Sequence, residues 1–164
     1  MTIQPTGRVF HTGGKRDLIL TRTYRAPIGD VWASVTESDR TARWFGAWKG
    51  APGAGQSVKL QMAYEEGQPW CDAHIQACEP PQRLAITTTD AYGTWNLELV
   101  LTESGGTTQL ALTHHLEPEA NAADVGPGWE YYLDALGAAR EGADRPDFAD
   151  YYPSMKQYYE NQPD

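Results

Sequence analysis

Residues 20–48 read LTRTYRAPIGDVWASVTESDRTARWFGAW, and the order of signals in this stretch decides the fold. A run of alternating residues ends at Tyr24 and meets Ala26-Pro27. Proline lacks an N–H and has a fixed φ, so it stops a strand and suits the first turn of a helix. Ile28, Val31, Trp32 and Val35 follow at helical spacing and form one apolar stripe. Ser38 or Asp39 can cap a second short helix carrying Ala42, Trp44 and Phe45. Gly46, Gly50, Pro52, Gly53 and Gly55 then mark a loop.

Upstream of this stretch, residues 8–11 and 16–24 can pair as a hairpin around Gly13-Gly14. Downstream, from Gln56 to Leu116, the period becomes two. Five strands are expected, at about 56–63, 70–79, 82–90, 93–103 and 107–116. Pro80-Pro81, the corner from Asp90 to Gly93, and Gly105-Gly106 are tight turns, so neighbouring strands are antiparallel. Short turns also set the register. Glu79 opposite Gln82 places Ile75 beside Ile86. Thr89 opposite Thr94 places Ile86 beside Leu97. Ser104 opposite Thr107 places Leu97 beside His114. Flanking rows are Ala77, Leu84, Leu99 and Leu112, and Ala73, Thr88, Trp95 and Leu116. The other face collects Gln76, Thr87, Asn96, Glu98, Gln109 and Thr113, so one face is apolar and the other wet.

Around Asn121 to Glu141 the period returns to that of a helix. Trp129, Tyr132, Leu133 and Leu136 form its stripe, extended by Val125. Gly126, Pro127 and Gly128 interrupt it, so a bend or restart is expected at Pro127. The fold class is therefore α+β. A curved antiparallel sheet is gripped by a long C-terminal helix, with two short helices between the first strand and the rest, and the helix encloses a cavity against the sheet. Three segments are expected: an N-terminal extension over 1–15 that adds a hairpin strand, the main domain over 16–141, and an aromatic-rich tail over 142–164.

The chain has 164 residues, 40% of them hydrophobic, and a net charge of −9. One core of that size needs no metal or disulfide to hold it. A surface that acidic repels phosphate backbones and anionic membranes. With no long apolar run and no leader pattern at Met1, the expectation is a soluble, cytoplasmic protein. Cys71 and Cys78 fall on one strand, seven residues apart. Ideal strand geometry puts them on opposite faces and roughly 23 Å apart, well beyond the about 7 Å that a disulfide spans. They also lack the partners of a zinc site. No metal or other cofactor is expected.

The order of strand, two short helices, five antiparallel strands and a long helix resembles the helix-grip fold of the START-like (SRPBCC, polyketide cyclase/Bet v 1-like) superfamily. Within it the chain resembles the activator of heat-shock-protein-90 ATPase homologue-like family over about residues 16–141. The residues that carry this are Arg25-Ala26-Pro27, Asp30-Val31-Trp32 and Ala42-Arg43-Trp44-Phe45. Glu79-Pro80-Pro81 with Arg83-Leu84, Gly106-Thr107-Thr108 before Leu110, and Gly128-Trp129 with Leu133 and Leu136 add to them. The resemblance implies a cavity. Superfamily relatives bind lipids, sterols, hormones or polyketides, and some cyclise or dehydrate their ligand. The family's namesake is a co-chaperone domain attached to a separate chaperone-binding module, for which this chain has no room.

Candidate ligand contacts follow from the faces. Trp44, Phe45 and Trp48 stand at a possible mouth, and Trp95 and Trp129 form a wall suited to planar or apolar ligands. Ala73, Ile75, Ile86 and Leu97 give a floor, and Val125 and Leu133 a roof. Thr88 and Tyr132 can orient a ligand. Trp32 reads as core packing. His114 lies on the apolar face and is the candidate acid or base. The alternative is a core histidine satisfied by backbone or by Tyr132. His115 points to the other face, and Asp72 and His74 form a hydrated pair. No nucleophile elbow or phosphate loop occurs.

The expectation is a carrier or sensor of a small hydrophobic or aromatic molecule, with no nucleic acid and no membrane insertion. A cyclase- or dehydratase-like enzyme acting on a polyketide-like substrate, and a chaperone-activating module or a homodimer formed through the tail or a sheet edge, are the alternatives. In the tail, Phe148, Tyr151, Tyr152, Met155, Tyr158 and Tyr159 recur at helical spacing. They either pack on their own domain, cover the cavity or form a dimer contact.

Overall fold

The hairpin around Gly13-Gly14 forms β1 (Arg8–Thr12) and β2 (Lys15–Tyr24) in a computed structural model that describes residues 4–90 and 93–162. Pro27, with φ of −63°, stands immediately before α1 (Ile28–Thr36). Val31, Ser34 and Val35 are its buried residues, while Trp32 is only half-buried. The second helix, α2 (Ser38–Thr41), corrects an expectation. Neither Ser38 nor Asp39 caps it, since the residue before its first turn is Glu37, whose side chain makes no capping bond. The Ser38 hydroxyl instead donates to the Trp48 carbonyl at 2.7 Å and accepts from the Trp48 N–H at 2.9 Å. Ala42, Trp44 and Phe45 lie just beyond the helix.

Six further strands follow: β3 (Trp48–Lys49), β4 (Ser57–Gln61), β5 (Trp70–Glu79), β6 (Arg83–Asp90), β7 (Gly93–Ser104) and β8 (Thr107–Leu116). They join β1 and β2 in one curved antiparallel sheet of order β1-β2-β8-β7-β6-β5-β4-β3. The short edge strand β3 lies in the stretch expected to be loop. Ile86↔Leu97, Thr88↔Trp95 and Leu97↔His114 pair as the turns dictate, and Ile75↔Ile86 and Ala73↔Thr88 also match the expected rows. Asp90 pairs with Gly93, and the corner residues between them lie outside the described residues.

The register fails at one place. The pairing shifts between Ile75 and Ala77, so Glu79 faces Arg83, not Gln82. Ala77 consequently pairs with Ala85, and Cys78 takes its place beside Leu84 in the apolar row. A bulge adds one residue to one strand, and with a period of two that reverses every side chain beyond it. Cys71 and Cys78 therefore pack against the same cluster, on one face rather than two. Neither forms a disulfide.

The wet face is ordered by side-chain bonds across strands. Gln76 donates to Thr87, Thr87 to Asn96 and Asn96 to Glu117. Asp72 pairs with Lys59, and His74 bonds Ser57 at 3.1 Å, so each reaches β4 and not the other. His115 bonds Asp17 at 2.8 Å and Glu98 at 3.1 Å.

The gripping helix α3 (Ala122–Glu141) starts at Asn121, whose side chain accepts from the Ala123 N–H at 2.9 Å. It ends at Gly142 in the left-handed conformation, the usual C-terminal stop. It is one helix with Pro127 inside, so no restart occurs. Gly126 has a different purpose: a Cβ there would meet the Tyr159 ring at 2.6 Å. The tail continues through a 3-10 turn (Phe148–Asp150) and α4 (Lys156–Glu160). Tyr151, Met155 and Tyr159 are buried, while Phe148 and Tyr152 stay exposed and stack on each other.

Glu130 ties these parts together. It is only 1% exposed and accepts from the Thr6 hydroxyl at 2.8 Å, the Gly7 N–H at 3.0 Å and Arg22 at 2.9 Å. Tyr159 also donates to it, and the Tyr158 hydroxyl bonds the Gly7 carbonyl at 2.9 Å. Burial alone would raise the Glu130 carboxyl. The bonds from Tyr159, Thr6, Arg22 and Gly7 outweigh burial and hold it below its ordinary value.

The main core lies between sheet and helices, where Leu18, Leu97, Leu110 and Leu112 meet Val31, Leu133 and Leu136. A smaller cluster of Val58, Leu60, Ala73 and Ile75 covers β4 and β5. Among the described residues no helix is long and apolar enough to cross a membrane.

Candidate ligand-binding cavity

The helix does not lie flat on the whole sheet. Two chambers remain over the sheet: one of about 410 Å³ beneath α3, and one of about 350 Å³ walled by α1 and the segment from α2 to β3, which meets α3 only at Trp129. Each falls within the range of small-molecule sites. Phe45, Leu97 and Trp129 border both. Leu97 rises from the middle of the sheet, Trp129 descends from α3, and Phe45 enters from the loop after α2.

Local structure fixes how Phe45 gets there. The chain turns at Gly46 and crosses β4 so closely that a Cβ on Gly46 would lie 1.6 Å from the Gln61 carbonyl oxygen. No other residue allows that approach without moving backbone. The neighbouring tryptophans are pinned by their indole N–H groups. Trp44 donates to the Ser34 carbonyl at 2.9 Å, Trp48 to the Thr36 carbonyl at 2.8 Å, and Trp129 to His114 Nδ1 at 3.1 Å. Phe45 has only ring contacts: Trp44 at 5.5 Å, Tyr132 at 4.8 Å, and a near-parallel stack on Trp129 at 6.2 Å.

The larger chamber takes in Phe45, Thr88, Trp95, Leu97, Trp129 and Tyr132 from the expected set, with Val125. Its remaining walls were not legible in the sequence. Tyr64, Glu65 and Glu66 come from the β4–β5 loop, Asp124 and Tyr131 from α3, and Phe148 from the tail. Tyr64, Glu65, Glu66, Asp124 and Phe148 are exposed, so they mark the open side. Trp44 and Trp48, expected at a mouth, border the smaller chamber instead, whose exposed lining residues are Glu37 and Pro52.

A set of polar contacts shapes the larger chamber's open side. The Tyr132 hydroxyl donates to Glu65 at 2.9 Å, and the Tyr64 hydroxyl to the carbonyls of Ala42 and Arg43 at 3.0 and 3.1 Å. The Arg145 guanidinium lies 3.4 Å over the Tyr64 ring, donates to the Tyr131 hydroxyl at 2.7 Å and to the Trp44 carbonyl at 3.1 Å. Burial, and then the charge of Glu65, push the Tyr132 phenol well above its ordinary value. It remains a protonated donor at any physiological pH.

The smaller chamber holds Trp44, Trp48, Ala73, Ile75 and Ile86 from the expected set. Trp32, expected to be core, also lines it, as do Val58 and Leu60 of β4. Its walls are almost wholly aliphatic or aromatic. Cys71 borders the larger chamber and Cys78 the smaller, a placement that follows from the bulge.

His114 and Leu133 line neither chamber. Leu133 is core. His114 is 2% exposed and lies between Trp95, at a ring distance of 5.2 Å, and Trp129. Its bonding partner is Trp129, neither backbone nor Tyr132. Burial, helped by the neighbouring His115, lowers its imidazole to about 4, so it is neutral and accepts through Nδ1. Its position makes it a prop for Trp129, with no atom facing a ligand in either chamber.

Solved structures with the same architecture include the crystal structure of CalU16 from Micromonospora echinospora. It is 28% identical, with a TM-score of 0.76 over 96% of this chain and 95% of that one. A solution structure from Bordetella parapertussis is 25% identical, with a TM-score of 0.74 over 97% of this chain and 92% of that one. DynU16, a protein of the dynemicin biosynthetic locus, shares the fold at 20% identity and a TM-score of 0.67, over 80% of this chain and 50% of that one. No curated protein matches the chain. The family described as Activator of Hsp90 ATPase homolog 1-like protein matches residues 25–141, which spans α1 through α3 and both chambers' principal walls; the chain belongs to that family and carries its helix-grip, START-like fold.

Proposed function

We propose that the protein binds a small hydrophobic or aromatic molecule between sheet and α3, as a carrier or sensor. The observation that supports this is the pair of adjoining chambers walled by aromatic and aliphatic side chains, the larger beneath α3 and the smaller between the sheet and α1, with Phe45, Leu97 and Trp129 common to both. Burial of flat apolar surface against Phe45, Trp95 and Trp129 supplies the binding energy, at about 25 cal/mol for each Å² removed from water. Thr88 and Tyr132 supply the few polar contacts that orient a ligand.

Acid–base catalysis is less well supported. A catalytic site needs a base, an acid and a charge stabiliser converging on one point. His114 has its Nδ1 engaged by Trp129 and lines neither chamber.

The test is native mass spectrometry of purified protein, combined with displacement of a hydrophobic fluorophore such as anilinonaphthalene sulfonate. The expected result is one fluorophore per chain, displaced competitively by small aromatic compounds and weakened by Trp129→Ala. Absence of any copurifying small molecule, together with fluorophore binding that no compound competes, overturns the reading.

A further inference from the structure

The two chambers differ in chemistry and share three walls. The larger is aromatic and opens past Glu65, Glu66 and Asp124. The smaller combines aliphatic residues such as Val58, Leu60, Ile75 and Leu99 with the indoles of Trp32, Trp44 and Trp48, and has one carboxylate, Glu37. Of the shared walls, Leu97 is 8% exposed and belongs to the sheet core, and Trp129 is held by its bond to His114. Phe45 alone has no hydrogen bond to fix its ring and is half-buried. Turning Trp129 would strand its buried indole N–H, whereas turning Phe45 leaves no buried donor unpaired. Of the shared walls, Phe45 is therefore the one whose rotation meets least resistance.

We infer that the two chambers are the two ends of one site for an elongated amphiphile, with its apolar end in the smaller chamber and an amine or other hydrogen-bond-donating head at the larger chamber's carboxylate-rimmed mouth, and that Phe45 is the side chain that yields to admit it. This rests on the ligand-binding reading proposed above and specifies its ligand class. Two independent features select the head group. Carboxylates at the rim attract an ammonium and repel a carboxylate or phosphate, and the chain's net charge of −9 acts in the same direction. The walls just inside are the faces of Trp95, Trp129 and Phe45, where a cation is also favoured. Arg145 keeps its positive charge, since its partners Tyr64, Tyr131 and the Trp44 carbonyl are neutral, but it does not line the chamber and the three rim carboxylates outnumber it. The tail of the ligand is selected by the smaller chamber, whose walls are mostly apolar and which carries one carboxylate, Glu37, against three at the rim of the larger.

The two cysteines allow a direct test, since one borders each chamber. Cys78→Ser leaves Cys71 to report on the larger chamber, and Cys71→Ser leaves Cys78 to report on the smaller. Iodoacetamide labelling is followed with dodecylamine, dodecanol, dodecanoate and butylamine as probes, each below its micellar concentration. Stoichiometry is read by native mass spectrometry. One dodecylamine per chain should slow labelling of both thiols, whereas butylamine should protect Cys71 alone. Dodecylamine should bind at least about tenfold more tightly than dodecanoate, the size expected for contact between exposed charges. High salt should narrow that difference. Phe45→Ala should raise the association rate of dodecylamine. Two molecules per chain, or protection of a single thiol by every probe, overturns the single spanning site. Equal or tighter binding of dodecanoate overturns the head-group assignment. In both cases the simpler ligand-binding reading survives. Failure of every probe to bind, with no competed fluorophore, defeats both.

Discussion

Two adjacent histidines show how strongly position on the sheet controls a residue. His114 and His115 alternate between faces. His114 is buried beside Trp95 and Trp129, and burial lowers its imidazole to about 4. Burial also pulls His115 down, but its bonds to Asp17 and Glu98 win and raise it above 6.5. NMR titration should therefore show His115 protonating above pH 6.5 and His114 staying neutral until about 4. The sign for stability follows from linkage. Below pH 6.5 the unfolded chain accepts a proton at position 114 that the folded chain refuses until about 4, so His114 costs stability across that window as pH falls. A single titration near 6.5 for both rings would refute the burial of His114. The sequence showed which face His114 occupies, because alternation and turn length determine that. Its partner was not legible, since an indole one helix away reaches Nδ1 only if the helix stands at a particular height.

Elements were more legible than the contacts between them. The five strands from β4 to β8 and the long α3 follow from periodicity and turn residues, and their register from turn length. The bulge after Ile75 was hidden, because one extra residue leaves the apolar count of β5 almost unchanged. It moved Cys78 from the wet face into a chamber wall. The mouth was hidden too: Tyr64, Glu65 and Phe148 lie on a loop and in the tail, where no period announces a facing direction. Within α3, the glycines separate local propensity from packing. Gly137 has open space around its missing Cβ, so Gly137→Ala should stabilise the protein by up to about 1 kcal/mol. Gly126→Ala gains the same propensity but drives a methyl into the Tyr159 ring, at 2.6 Å, and should lower the unfolding midpoint. Thermal denaturation of the two variants checks the contrast, and a Gly126→Ala protein as stable as Gly137→Ala would mean the tail is not docked there.

At the scale of the molecule, Glu130 is the joint. It gathers the chain before β1, Arg22 of β2, its own helix and the tail at one carboxylate. Glu130→Gln keeps the shape but removes the charge beside Arg22 and turns an amide N–H₂ towards donors. Breaking a buried, hydrogen-bonded charge in this way costs about 3 kcal/mol. The pH dependence has a definite sign. A carboxyl held below its ordinary value stabilises the fold fully above 4.5, and that contribution is lost as pH falls through the folded value. Chemical denaturation should thus show a wide gap between the natural protein and Glu130→Gln at neutral pH, narrowing in acid. A gap independent of pH would show that the charge is not what matters. The same joint has a consequence for how the molecule comes apart. Residues near both ends of the described chain bond the same buried group, so the backbone forms a ring closed by hydrogen bonds instead of a covalent link. Fraying at one end removes donors on which the other end depends, and the two ends are bound to let go in a single cooperative step.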